Sequence, residues 1–176
     1  MALHEAPAKE DYLLGWMLRY PTARTAVQEK LWRDLAAFSL VKEIIEGVPL
    51  ELFEKIDNRA IWKAWIAQPD GLDPHQWAQT LDETLYEQVQ RVLQLNVPEP
   101  QSYRYVGDAL ECATILQRQR AQQWKDRLKQ QVTDAVDEQE RSILLERLVQ
   151  IKDYIDSISI PRRSTTYPDL HRFRTV

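Results

Sequence analysis

The sequence has only one cysteine, Cys112, and only four glycines in 176 residues. A single cysteine excludes an intramolecular disulfide, and it also excludes a zinc ribbon or finger built on several cysteine ligands. The glycines, at positions 15, 47, 71 and 107, are too far apart to form a glycine-rich loop that binds phosphate. The composition therefore excludes dinucleotide and P-loop sites of that type, and it favours a reducing compartment.

Long hydrophobic runs are also missing. The purely apolar stretches are a few residues long, whereas a membrane-spanning helix needs about 20. The first residues contain no basic stretch followed by an apolar one, so we expect no export signal and a cytoplasmic protein. Hydrophobic residues make up 44% of the chain and charged residues 28%, which is typical of a globular protein.

Negative charge dominates most of the chain, whose formal net charge is −4. The last 16 residues contain four arginines and one aspartate, a local charge of +3, so residues 1–160 carry −7. An acidic body does not bind nucleic acid through counter-ion release. We therefore expect no direct nucleic-acid binding by residues 1–160 and a flexible basic tail over 161–176.

The positions of proline and the spacing of apolar residues predict an all-α protein. Helices are predicted over 9–20, 21–32, 31–46, 59–68, 75–81 and 83–95, with N-caps at Asp57-Asn58, Asp73 and Asp82. They are expected to form an N-terminal helix bundle over residues 1–98. Its predicted core includes Trp16, Trp62, Trp65 and Trp77. Pro98 and Pro100 mark the boundary with the rest of the chain.

Residues 99–160 are predicted to form a long helix that leads into an antiparallel helical hairpin. The long helix covers 102–133, about 45 Å at 1.5 Å per residue, and its polar middle, 117–123, is expected to bridge through solvent. Asp137 and Glu140 resemble a capping box that begins the last helix. Apolar seams predict how the two arms pair, along 121, 124, 128, 132 and 135 and along 144, 148, 151, 155 and 158.

Side chains that perform catalysis at neutral pH are scarce. The three histidines lie at 4, 75 and 171, and no Glu-x-x-His or His-Glu-x-x-His spacing is present to hold a metal. Cys112 lies among apolar residues with no neighbouring group to lower its pKa, which indicates a small buried hydrophobic residue. Acidic pairs such as Glu83/Glu87 and Asp153/Asp156 are interpreted as solvated helix faces. We expect no enzyme activity, no cofactor and no metal.

A two-helix hairpin cannot cover all of its own apolar surface. Leu145, Val149 and Tyr154 lie off the predicted seam, so we expect some apolar area to remain exposed unless a partner covers it. A stable interface buries about 800 Å² on each partner, an area that such a hairpin can supply. The residues alone therefore predict an all-helical adaptor with a protruding binding hairpin.

Three parts of the chain are similar to a known family. They are residues 10–21 (EDYLLGWMLRYP), residues 52–62 (LFEKIDNRAIW) and the closing long helix with its hairpin. Over residues 9–158 they resemble the C-terminal helicase-binding domain of the bacterial replicative primase, the DnaG type. The resemblance implies a helix bundle followed by a helical hairpin. The zinc-binding module and polymerase core of that family have no counterpart in this sequence, so the resemblance implies no primer synthesis by this chain.

The resemblance also implies a partner, the N-terminal domain of the hexameric replicative helicase. The hairpin would supply the attachment, and the bundle would modulate helicase and primer-synthesis activity. The expected contact residues are Trp124, Leu128, Val132 and Val136 on the first arm and turn, and Leu145, Leu148, Tyr154 and Ile155 on the second arm.

Some of these residues have a second interpretation. Leu128, Leu148 and Ile155 lie on the seams and serve equally well as hairpin core, while Trp124 either braces the hairpin or stands exposed. Tyr154 and Leu145 are expected to serve the contact alone.

Two other classes of function stay open. One is a helical scaffold, or a domain like the N-terminal domain of the helicase itself, that self-associates through the hairpin. The other is an enzyme. An adaptor is expected to be monomeric on its own, so a stable dimer would favour the scaffold.

Overall fold

The computed structural model describes residues 9–37, 52–95 and 104–158 of the chain. These ranges contain seven α-helices and no strand, so the predicted all-α fold is confirmed. The helices are α1 (Lys9–Arg19), α2 (Pro21–Ala37), α3 (Ile56–Ile66), α4 (Pro74–Ala78), α5 (Glu83–Gln94), α6 (Arg104–Asp134) and α7 (Glu138–Ser157). The helices predicted over 21–32 and 31–46 are one continuous helix as far as residue 37, so the predicted break near residue 31 is wrong. The rest of the second prediction, the linker at Pro98 and Pro100 and the tail over 161–176 lie outside the described residues. No helix in these ranges is long and apolar enough to cross a membrane.

The first hydrophobic core surrounds α1, which packs against α2, α3, α5 and α6. Trp16, Trp62, Trp65 and Trp77 are all buried in this core, as predicted. The indole Nε1 of Trp65 donates a hydrogen bond to the carbonyl oxygen of Met17 at 3.0 Å, and its ring lies 4.8 Å from that of Trp77. Trp65 therefore joins α1, α3 and α4 by both packing and a buried hydrogen bond.

The core of the bundle extends beyond the predicted boundary at residue 98. Ala109, Ala113 and Leu116 of α6 are buried in the same cluster as the apolar residues of α1 and α2. A second cluster begins at Ala121 and is built by α6 and α7 alone. The border between the two cores therefore lies inside α6, between Leu116 and Ala121.

The second core confirms the predicted hairpin. It buries Ala121 and Leu128 of α6, and Ala135 just after it, against Leu144, Ile151, Ile155 and Ile158 at the α7 side. The carboxylate of Asp137 accepts a hydrogen bond from the backbone N–H of Glu140 at 2.9 Å, which confirms the predicted cap. Arg141 donates to the carbonyl oxygen of Ala135 at 2.8 Å and so satisfies the end of α6.

The start of α3 differs from the prediction. Asp73 and Asp82 cap α4 and α5 as expected, but α3 begins at Ile56, with Lys55 rather than Asp57-Asn58 at its N-cap. The carboxylate of Glu10, on α1, accepts the backbone N–H groups that precede α3, including that of Lys55 at 3.1 Å. A distant acid therefore holds the backbone that leads into α3, and no side chain of the described residues caps the first turn of the helix.

Candidate partner-binding surface

An apolar stripe lies on the solvent side of α7. Leu145 and Val149 are one helical turn apart and are 46% and 59% exposed. They stay exposed because α6 covers only the opposite side of α7, where Leu144 and Ile151 are buried. At the hairpin turn, Val136 is 96% exposed. We use the term apolar stripe for Leu145 and Val149.

Most of the predicted contact residues hold the hairpin together. Leu128 and Ile155 are buried in the second core, and Trp124, Val132 and Leu148 pack against it while remaining partly exposed. The guanidinium of Arg127 lies over the Trp124 ring, 5.3 Å from its centroid. Trp124 therefore braces the hairpin, which was one of its two open interpretations. Val136 and Leu145 are the predicted contact residues that the structure leaves largely exposed.

The expectation that Tyr154 is an exposed contact residue is wrong. Its side chain is fully buried, and its hydroxyl oxygen accepts a hydrogen bond from Nε2 of Gln117 at 2.7 Å. Burial raises the pKa of Tyr154 to about 12, although the hydrogen bond from Gln117 acts in the opposite direction. Tyr154 lies off the seam of α7 because it packs against a part of α6 close to the bundle.

Gln117 also contradicts the expectation of a solvated stretch over 117–123. Gln117 and Ala121 are both fully buried. The Oε1 atom of Gln117 accepts a hydrogen bond from Nζ of Lys30, on α2, at 2.9 Å, and the same ammonium donates to Asp34 at 2.5 Å. Lys30, Gln117 and Tyr154 thus form a continuous hydrogen-bonded chain, here called the polar joint, which ties the end of the hairpin to the bundle.

A cleft of about 460 Å³ lies beside the polar joint, between α2 and the facing parts of α6 and α7. Its lining includes Glu29, Lys30, Arg33 and Asp34 of α2 together with Thr114 of α6. Acidic and basic groups alternate there, and Lys30 is already paired with Asp34. This lining favours no single class of ligand.

A buried polar network joins α1, α3 and α5, and the sequence analysis did not identify it. The carboxylate of Asp11 is buried, accepts a hydrogen bond from Asn58 at 2.9 Å and pairs with Lys55 at 2.9 Å. Gln88 donates to Oδ1 of Asn58 at 2.7 Å. The network fixes the mutual register of three helices, because each buried group is costly if it loses its partner. Polar residues inside otherwise apolar helix faces were the available signal for it.

The remaining reactive side chains of the described residues show no metal-binding cluster and no activated nucleophile. In the three described ranges, no group of three or more His, Cys, Asp or Glu side chains is arranged to hold a metal ion. The thiol of Cys112 is partly buried and donates to the carbonyl oxygen of Lys9 at 3.5 Å. Burial raises the pKa of Cys112 to about 12, so the thiol is protonated and weakly nucleophilic at neutral pH.

The hairpin therefore exposes apolar contact area on α7, a helix whose opposite side packs against α6 and whose N-terminus is capped by Asp137. Such a surface is suited to binding another protein, because apolar side chains exposed one turn apart on a helix provide the kind of contact area that the centre of a protein interface uses. Comparisons with protein-family models, with curated proteins and with solved structures found no match.

Proposed function

We propose that this chain is a non-catalytic helicase-binding domain of a bacterial DNA primase. In this role its hairpin docks on the N-terminal domain of the hexameric replicative helicase and couples primer synthesis to unwinding in the cytoplasm. The observation that carries the proposal is the apolar stripe, Leu145 and Val149, on a hairpin with a core of its own.

The order of the elements supports the proposal. A helix bundle, a long helix and a hairpin follow one another over residues 9–158, as the resemblance to the primase domain implies. The second core is closed by α6 and α7, so a partner can occupy the stripe without opening the hairpin. Apolar side chains surrounded by polar ones are the usual composition of the centre of an interface.

The residues of the hairpin divide into two roles under this proposal. Leu145, Val149 and Val136 contact the partner, because they are exposed apolar groups on one side of α7 and at the turn. Ile143 is also 46% exposed on α7, but it lies about 200° around the helix from Leu145 and therefore outside the stripe. Trp124, Leu128, Val132, Leu148, Tyr154 and Ile155 act as positioning residues, since they fix α7 against α6.

The test is a binding titration of the full chain against the N-terminal domain of the replicative helicase from the same organism. We expect the double variant Leu145→Ser/Val149→Ser to bind about 10- to 100-fold more weakly, because truncation of central apolar anchors removes a large part of an interface energy. Its free energy of unfolding should change by less than about 0.5 kcal/mol per site, since both side chains are exposed.

The matched control is Ile56→Ser, which removes an apolar side chain that is 74% exposed on α3 of the bundle. It should leave the affinity unchanged. Absence of binding by the unmodified chain, or equal affinities for all three proteins, would reject the proposal. A stable dimer in light scattering that is lost in Leu145→Ser/Val149→Ser would instead favour the self-associating scaffold.

A further inference from the structure

We infer that the partner surface carries basic side chains around an apolar centre, because carboxylates with no ion-pair partner among the described residues border the apolar stripe of α7 along one edge and at both ends. The inference rests on the proposed function and specifies the chemistry of its partner. The carboxylates belong to Glu138, Glu146, Asp153 and Asp156, which we call the acidic rim. All four residues are exposed.

Helix geometry places the acidic rim around the stripe. Glu146 and Asp153 each follow a buried core residue, Leu144 or Ile151, by two positions, a rotation of about 200° around the helix axis. They therefore face away from α6 and border the stripe along its outer edge. Glu138 and Asp156 lie seven residues before Leu145 and seven after Val149, so they occupy the two ends of the stripe.

The positive groups of the hairpin do not form ion pairs with this rim. Several of them bind within the hairpin itself: Arg118 to the carbonyl oxygen of Ile158 at 2.6 Å, Arg120 to Gln123 at 2.9 Å, Arg127 over the ring of Trp124 and Arg141 to the carbonyl oxygen of Ala135. No member of the acidic rim forms an ion pair with another described residue. Lys152 and Arg141 lie along the other edge of the stripe and keep their charge, but the four carboxylates outnumber them.

Unpaired rim charges act on association more than on the final contact. Opposite charges on the partner would raise the association rate by electrostatic steering, and this gain falls as salt screens the charges. A partner with acidic groups at the same positions would be repelled. The rim therefore selects for a surface with Lys or Arg beside its apolar centre.

The experiment compares Glu146→Gln/Asp153→Asn with the unmodified chain in titrations against the helicase N-terminal domain at about 0.05 and about 0.3 M salt. We expect the variant to bind about 3- to 10-fold more weakly at low salt, mainly through slower association, and to show a weaker salt dependence. The control is Glu83→Gln/Glu87→Gln, which removes the same charge from two exposed residues of α5 and should leave both quantities unchanged.

The outcomes separate the inference from the proposed function. If the unmodified chain binds, but the rim variant has the same affinity and salt dependence, the inference is rejected and the proposed function stands. If the control weakens binding as much as the rim variant, only net charge matters and the inference is also rejected. If the unmodified chain does not bind, the proposed function fails and the inference fails with it.

Discussion

The bundle and the hairpin differ in how they cover their apolar side chains. In the bundle, α1 packs against four other helices, and the exposed apolar side chains are spread over α2, α3 and α5, with no two of them one turn apart on the same helix: Trp32, Ile56, Ile66 and Tyr86. In the hairpin, α6 covers one side of α7, and Leu145 and Val149 remain as adjacent exposed groups. Isolated apolar residues are normal on any surface, so the adjacent pair on α7 is the feature on which the proposed contact rests.

The largest predicted loss of stability comes from a substitution in the core of the bundle. Trp65→Ala removes a buried indole together with its hydrogen bond to Met17 and its contact with Trp77. We expect the free energy of unfolding to fall by about 3–5 kcal/mol, measured by urea denaturation. Trp32→Ala is the control, since Trp32 is 56% exposed and its removal should change stability by less than about 0.5 kcal/mol. Equal losses for both variants would contradict the assignment of Trp65 to a packed core.

The next largest effect is expected from a substitution that disrupts the polar joint between the bundle and the hairpin. Tyr154→Phe preserves the buried ring but removes the oxygen that accepts the hydrogen bond from Gln117. We expect a loss of about 1–3 kcal/mol at neutral pH, because a buried amide group then lacks that acceptor. Faster amide hydrogen exchange at the end of α7, with unchanged exchange in α3, would locate the effect. A variant as stable as the unmodified chain would show that the hydrogen bond contributes little.

The buried hydroxyl of Tyr154 also predicts that the free energy of unfolding decreases at high pH. The folded state raises the pKa of Tyr154 from 10.0 to about 12 through burial, so ionisation favours the unfolded chain. The stability that neutral Tyr154 provides is therefore complete below about pH 10 and declines as the pH rises toward 12. Tyr154→Phe lacks this decline, so the stability difference between the two proteins should narrow over that interval. A constant difference up to pH 12 would contradict the assignment.

The smallest effect is local to the hairpin. Asp137→Ala removes the side-chain cap of α7 and should lower the free energy of unfolding by about 1 kcal/mol. Asp137→Asn retains an oxygen that can accept the same hydrogen bond and should retain most of the stability. Urea denaturation of the three proteins measures the difference, and identical midpoints would show that the cap is dispensable.

Sequence periodicity predicted the features that depend on one helix and one partner. The seams of α6 and α7 and the caps at Asp73, Asp82 and Asp137 are local patterns, and the structure contains all of them. Tyr154 was predicted to be exposed because it lies off the seam of α7. Gln117 was predicted to be solvated because it lies in the polar stretch over 117–123. A third helix, α2, approaches through Lys30, 87 residues from Gln117 along the chain. Periodicity within one helix carries no information about such a neighbour.

The same limit explains the start of α3 and the extent of the bundle core. Glu10 fixes the backbone just before α3 from 45 residues away, and the helix begins at Ile56, so the prediction of a cap at Asp57-Asn58 was wrong. The prolines at 98 and 100 suggested a domain boundary, yet Ala109, Ala113 and Leu116 complete the core of the bundle. For the candidate surface, Leu145 and Val149 were identifiable as apolar residues off the seam, but the same signal pointed wrongly to Tyr154, and Val136 was named only through the resemblance. The contacts of the arginines could be seen only in the structure.

The polar joint also sets how accurately the tip of the hairpin is aimed. From Gln117 to Asp134, α6 extends about 26 Å, at 1.5 Å per residue. With a lever of that length, a tilt of 10° at its base would move the tip by roughly 4 to 5 Å, about one helical turn. The hydrogen bonds of the polar joint therefore govern how precisely the tip of the hairpin is positioned. Weakening them would make the docking geometry less precise while leaving the contact surface itself unchanged.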